Sequence, residues 1–463
     1  MGARPMPIEP AWLAATMAAL VDTYHVPGAQ LAVHRGGVTV AVELGELEYG
    51  AGIEVTGDTP FAIGSITKAW TATLAMILVA DGDMELDAPL DEYLPELPDL
   101  GGVVTLRHVL SHTSGFASSP DVPDLSTLSL GRYVREHCRR QDLISSPGTG
   151  FSYSNRNYAL VGHLIETITG MRWAEAMESI LLRPLAVEST ILGRGTAPSA
   201  RAIAAGHSVN MTSGKTRPVS QSLASVEAPA GALAMSAVDL VALGTMHVGS
   251  GVSELVPAAY AKWMRQAVPG ADPFGLADGW GCGLAIFREG TTNWVGHDGN
   301  VSGMSCYLRI EPAEGWVVAL TTNANTGSYL WDELCTALRP PTLPLPVHRR
   351  DLPARAAIAS PAECVGRYSN GPAEYDVTAA EGGDLYLANG DELVARLVFY
   401  DRLDFVLQDV MSGRRVHVGR FLRDPATKQI DHVLIGGRLA QRQRPATLPK
   451  ARSPADSVRP LSA

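Results

Sequence analysis

The chain has 463 residues, of which 46% are hydrophobic and 18% charged, with a net charge of −11. That length and apolar content can bury a full core and form more than one folding unit. The acidic balance argues against nucleic acid as a partner, and no run of about 20 apolar residues offers a membrane span.

The first ten residues lack a charged stretch followed by an apolar one, the mark of a secretory leader. Cys138, Cys282, Cys306, Cys335 and Cys364 are odd in number and form no C-x-x-C pair. They read as reduced thiols, and a cytoplasmic location is expected. Trp12, Leu13, Met17, Leu20, Val21 and Tyr24 recur at helical spacing and predict a helix over 11–25. Residues 28–34 and 38–44 read as strands, with Arg35-Gly36-Gly37 as the hairpin turn.

Then comes Phe61-Ala62-Ile63-Gly64-Ser65-Ile66-Thr67-Lys68-Ala69-Trp70. Ser65 and Lys68 stand three apart at the start of an apolar helix that runs to Ala80 and stops at Asp81-Gly82-Asp83. Residues three apart share a helix face, so the hydroxyl and the amine can meet. The helix start offers free N–H groups and the positive end of the dipole. Burial would lower the Lys68 pKa, so that a neutral amine could take a proton from Ser65. Ser-x-x-Lys is common by chance, and a Ser at a helix start is most often an N-cap. Two facts single this one out. The other lysines, at 215, 262, 428 and 450, have no Ser three residues before them. An ammonium inside an apolar helix is also costly unless it has a partner or a task.

Helices are predicted over 157–169 and 173–182, and Ser236-Ala237-Val238-Asp239 resembles a capping box. Strands return at 283–288, 293–297, 304–310 and 316–322. A sheet built from both chain ends, with a helical region inserted between them, is an α+β architecture. Six prolines over 339–361 predict a semi-rigid linker. Beyond it, short segments at 375–378, 385–387, 393–399, 404–407, 416–421, 432–435 and 438–441 suggest a small antiparallel barrel or sandwich. The expected organisation is a catalytic unit at 1–338, the linker at 339–361, a β unit at 362–443 and a disordered tail at 444–463.

Two further motifs follow the Ser65 helix. Phe151-Ser152-Tyr153-Ser154-Asn155 precedes a helix, and Trp294-Val295-Gly296-His297-Asp298-Gly299-Asn300 lies between two strands. Tyr-x-Asn recurs at 368–370 and His-x-Gly at 247–249 and 417–419, so the triplets alone are weak. Order and context decide. Only Ser65, Tyr153 and His297 fall on a helix start, a loop before a helix and a Gly-rich strand edge.

With these three motifs the chain resembles the penicillin-binding-protein-like serine hydrolases. That group includes class C β-lactamases, D-alanyl-D-alanine carboxypeptidases, D-aminopeptidases and esterases. The segment 105–115, Thr-Leu-Arg-His-Val-Leu-Ser-His-Thr-Ser-Gly, adds to the likeness, which covers about 10–335. The resemblance implies Ser65 as nucleophile, Lys68 and Tyr153 sharing the proton work, and Ser65 and Asn300 N–H groups as oxyanion hole. It implies Asn155 as a substrate donor that also helps hold Lys68, with Asp298, Gly299 and Asn300 on the substrate-binding side. His297 would act near the leaving group or a carboxylate, and could supply positive charge beside Tyr153. His stands where β-lactamases usually have Lys, which points to the peptidase and esterase branches. The appended β unit would be a lipocalin-like barrel.

No motif calls for a cofactor. His108 and His112 have a metal-compatible i, i+4 spacing but no third ligand, so a structural role is expected and no metal. The expected partner is a peptide or ester substrate, including a peptide thioester on a carrier protein, with neither nucleic acid nor membrane. One branch of the family fits a cytoplasmic setting, the stand-alone penicillin-binding-protein-type thioesterases that release and cyclise nonribosomal peptides. A cytoplasmic D-aminopeptidase, carboxypeptidase or esterase, and a non-catalytic ligand sensor, are the alternatives.

Overall fold

The N-terminal hairpin is completed by strands from some 270 residues later in the chain. In the computed structural model, Gly28–Arg35 lies between Val38–Gly45 and Trp316–Thr322, with Leu31 opposite both Val42 and Leu320. This structure describes residues 8–443, apart from 101, 120–127, 193–200, 222, 249–254, 340–342, 344, 347–355, 390–391 and 402. The seven-stranded antiparallel sheet continues through Met304–Glu311, Thr292–Val301, Ala285–Glu289 and Gly279–Trp280. Every residue of Met304–Glu311 and Trp316–Thr322 is buried, because helices cover both faces.

Paired residues of antiparallel strands share a face, which fixes the layers. Tyr307, opposite Leu320, stacks on Trp331 of the helix Gly327–Ala337 at 4.8 Å. Val317 points the other way, against Gly244 of the helix Ala237–Thr245. Mixed helix and antiparallel sheet is the α+β class expected, and both chain ends contribute to it.

The inserted region centres on the helix Thr67–Asp81, buried at every position from Thr67 to Val79. An all-round apolar helix has no solvent face and must be packed on all sides. A helical turn, Gly64–Ile66, leads into it. The helix expected over 157–169 starts earlier, at Asn155–Thr169, because the Ser154 hydroxyl caps it by accepting from Arg156 N. The segment expected over 173–182 is an α-helical turn, Trp173–Ala176, followed by a π-helical one, Met177–Leu182. The strand expected over 293–297 runs on to Val301, so the His297 motif lies within a strand rather than at its edge.

Residues 366–442 form a closed antiparallel barrel of eight strands. Seven correspond to the expected segments. The eighth, Gly366–Asn370, pairs with Arg438–Arg442 and closes the ring. Tyr368, Phe399, Phe405 and Phe421 fill its centre, with neighbouring ring centroids 5.2–6.1 Å apart. Most of the expected 339–361 linker and all of the 444–463 tail lie outside the described residues. The five cysteines are buried and unpaired. Among the described residues no helix is long and apolar enough to cross a membrane.

The barrel is bonded to the segments that carry the site. Asn370 accepts from Ser118 N at 2.6 Å through Oδ1 and lies 3.5 Å from Ser152 Oγ through Nδ2. Leu439 N donates to the same Ser152 Oγ, His432 Nε2 donates to Ile144 O at 3.1 Å, and Arg420 pairs with Asp272. The hairpin turn Gly436-Gly437, with φ of 54° and 74°, accepts from Tyr153 N at 2.8 Å through Gly437 O. Two consecutive positive φ values are what a tight two-residue turn requires, and glycine supplies them without strain.

Candidate active site

Three elements converge on Ser65. Lys68, one turn along the nucleophile helix, places Nζ 3.0 Å from Ser65 Oγ and donates to Ala230 O at 2.9 Å. Tyr153, from the loop before the Asn155–Thr169 helix, hydrogen-bonds the Ser65 side chain. The His297 strand closes the third side. A Cβ on Gly299 would lie 1.9 Å from Ile63 O, and one on Gly64 would lie 3.1 Å from Asn300 N. Both positions therefore require glycine, and their close approach brings the Asn300 backbone beside Ser65.

Burial sets the charges. The Lys68 amine is fully buried, and desolvation brings its pKa down to about 7, with Glu227 opposing and Arg438 adding to the fall. Burial raises the Tyr153 phenol above its ordinary value, so it is a neutral O–H at pH 7. Burial brings His297 down to about 4, and the nearby Lys68 adds to this. His297 Nδ1 must donate to Asp298 O, 2.6 Å away, which leaves Nε2 as the unprotonated nitrogen. The expectation that His297 could supply positive charge beside Tyr153 is corrected by this desolvation, and the imidazole is neutral.

The remaining expected residues divide. The Asn155 amide donates to Glu227 Oε1 at 3.1 Å. Lys68 is held by Ala230 O instead, which corrects the expected Asn155–Lys68 contact. Asp298 turns its carboxylate to the buried Arg309, 2.5 Å away. The Arg309 guanidinium in turn lies 3.8 Å from the centre of the Phe287 ring. The Asp298 side chain thus braces the strand from behind. His108 caps the short helix Leu106–Leu110 through a box with Thr105. His112 lies under the site, its ring 4.4 Å from that of Tyr153, and its Nδ1 accepts from Ser154 N and Asn157 Nδ2. Among the described residues no three His, Cys, Asp or Glu side chains group as metal ligands would.

Three participants had no motif to announce them. Trp280, on the sheet edge, meets the His297 ring edge-on at 5.3 Å and the Tyr153 ring at 5.8 Å. Glu227 sits beside Asn155. Arg438, exposed at the barrel's Gly436-Gly437 turn, holds its guanidinium 5.8 Å from the centre of the Tyr153 ring. A Gly-Gly pair followed by Arg is a visible hairpin signal in the sequence. Nothing in the sequence says that the hairpin enters the site.

The Beta-lactamase family matches residues 13–331. Penicillin-binding protein 4 of Amycolatopsis lactamdurans is 33% identical over 341 residues, 71% of this chain and 89% of that protein. The unguisins hydrolase ungD' of Aspergillus campestris is 29% identical over 66% of this chain and 60% of that protein. The crystal structure of SurE superposes with a TM-score of 0.84 at 36% identity, covering 94% of this chain and 99% of SurE. SurE with D-Leu gives a TM-score of 0.82 with the same identity and coverage.

Proposed function

The chain belongs to the Beta-lactamase family of serine hydrolases, and from that premise we propose that Ser65 takes the acyl group of a peptide thioester and passes it to the peptide's own amine. Lys68, its pKa brought down to about 7 by burial, takes the Ser65 proton as Oγ attacks the carbonyl carbon. The developing oxyanion is met by the Ser65 and Asn300 N–H groups. Tyr153, a neutral phenol bonded to Ser65, hands a proton to the leaving group and recovers one from Lys68. The neutral His297 ring packs against Trp280 and Tyr153, with ring centres 5.3 and 6.2 Å away.

The observation that carries the cyclase reading is the barrel's reach into the site. A hydrolase of small substrates needs an open cleft. Here the Gly436-Gly437 turn bonds the Tyr153 backbone and brings Arg438 over the ring. That wall would give the acyl peptide a surface to fold against. A tethered amine can reach an effective concentration of roughly 10⁵ M when well oriented, and it outruns water where water is excluded. Binding of D-Leu to the similar SurE supports a D-residue at the acyl end. The likeness to the unguisins hydrolase favours the second reading, hydrolysis of the same acyl-enzyme.

The test is a linear peptide thioester ending in a D-residue, offered alongside its L-ended twin. Cyclic product from the D form is expected. Hydrolysis alone for both, across several lengths and sequences, favours the hydrolase.

A further inference from the structure

We propose that Glu227 is a positioning residue of this reaction: its carboxylate holds the Asn155 amide and supplies the negative charge that faces the buried Lys68 amine. The inference rests on the acyl-enzyme part of the function above and not on cyclisation.

Glu227 ends the helical turn Ser225–Glu227 and leads into Ala228–Gly231. This segment is fixed in register along the nucleophile helix. Pro229 O accepts from Thr71 Oγ1 at 2.8 Å, Ala230 O accepts from Lys68 Nζ at 2.9 Å, and Leu233 N donates to Thr67 Oγ1 at 3.1 Å. Pro229 also fills the space a Cβ on Gly162 would need, which locks the segment against the Asn155–Thr169 helix. The segment is therefore wedged between the two helices that carry Lys68 and Asn155. From its start, Glu227 Oε1 accepts from Asn155 Nδ2 at 3.1 Å. Among the described residues Glu227 has no ion pair with a basic side chain.

The groups around Lys68 leave it short of negative charge. Its own helix offers the Ser65 hydroxyl. Tyr153 and Tyr158 present ring faces whose centres lie 5.1 and 5.7 Å from Nζ, and burial holds both phenols neutral. His112 and His297 are held neutral by burial. The barrel adds the positive Arg438. Glu227, whose own surroundings are Asn155 and the neutral Tyr133, is the acidic group acting on the amine among the described residues. An ammonium in such a site would otherwise be expelled as a cation altogether. With Glu227 present, Lys68 can hold the proton it takes from Ser65 until Tyr153 receives it.

The full chain with ¹³C-labelled lysine ε-carbons tests this by NMR. It has only five lysines, and loss of a resonance in Lys68→Arg assigns Lys68. Glu227→Gln keeps an oxygen for Asn155 and removes the charge. Its Lys68 midpoint is expected to fall by about half a unit to one unit. Glu227→Asp keeps the charge and is expected to titrate with the wild type. The rate of Ser65 labelling by a fluorophosphonate should show the same downward move of its acid limb in Glu227→Gln. A role confined to holding Asn155 would change the labelling rate and leave both midpoints alone. A Lys68 midpoint in Glu227→Gln within about 0.2 units of wild type, or an equal fall in Glu227→Asp, would overturn the proposal. Failure of the wild type to label would count against the acyl-enzyme, while the NMR midpoint would still judge Glu227.

Discussion

Lys68→Met removes the proton acceptor and should make the fold more stable. The amine titrates near 10.5 in the unfolded chain and at about 7 in the folded one. Between those values the unfolded chain binds more protons, so wild-type stability rises with pH across the window. From the two values, the group destabilises the fold by about 4 kcal/mol at pH 7 and by about 2 kcal/mol at pH 9. Methionine fills similar volume without titrating. It leaves Ala230 O without the Lys68 donor, which costs about 1–2 kcal/mol at every pH. The net gain at pH 7 is then about 2–3 kcal/mol, and it should shrink by about 2 kcal/mol at pH 9. Guanidinium unfolding followed by tryptophan fluorescence measures this, because all eight tryptophans lie before residue 332 and report on the sheet and helices rather than the barrel. Other titrating groups cancel in the difference between variant and wild type. A Lys68→Met protein whose stability differs from wild type by the same amount at both pH values would refute a buried amine of lowered pKa.

Ser65→Ala should abolish turnover and fluorophosphonate labelling while leaving thermal stability within about 1 kcal/mol, since one half-buried hydroxyl is lost. Lys68→Ala and Tyr153→Phe should each lower kcat/KM by several orders of magnitude, and the double variant should be little worse, because groups that act as a unit are non-additive. Fully additive losses, measured by the same assay, would separate their roles. Acylation in the wild type should fall about tenfold per pH unit below pH 7, as the neutral fraction of Lys68 falls. Arg438→Ala should raise the Lys68 pKa, since Arg438 contributes to its fall, and so move the acid limb of fluorophosphonate labelling to higher pH; a limb unmoved from wild type would show that Arg438 does not act on the Lys68 amine.

The catalytic half of the molecule is legible in the sequence because its chemistry is local. Ser65 and Lys68 meet through helical spacing alone, and the hairpin, the capping box at Ser236 and most sheet strands follow from periodicity and turn residues. The misjudged boundaries had local causes that pattern reading underweights. Ser154 caps the Asn155 helix two residues early, and the His297 strand continues through Gly299, whose missing side chain permits the approach of Ile63. The charge of His297 was not legible, because desolvation depends on what Trp280, Tyr153 and Lys68 do in three dimensions. Glu227 and Arg438 were invisible for a stronger reason. Each reaches the site through a long-range docking, one along the nucleophile helix and one from the barrel, and no spacing in the sequence encodes either contact.

The most direct test of the central claim is intact-protein mass spectrometry during a single turnover of a D-ended peptide thioester. The account predicts a transient adduct of the peptide's mass on Ser65, absent in Ser65→Ala, that decays into a peptide one water lighter than the linear acid. Product formed without an adduct on Ser65 would contradict the acyl-enzyme, and an adduct that releases only the linear acid would contradict transfer to the peptide's own amine.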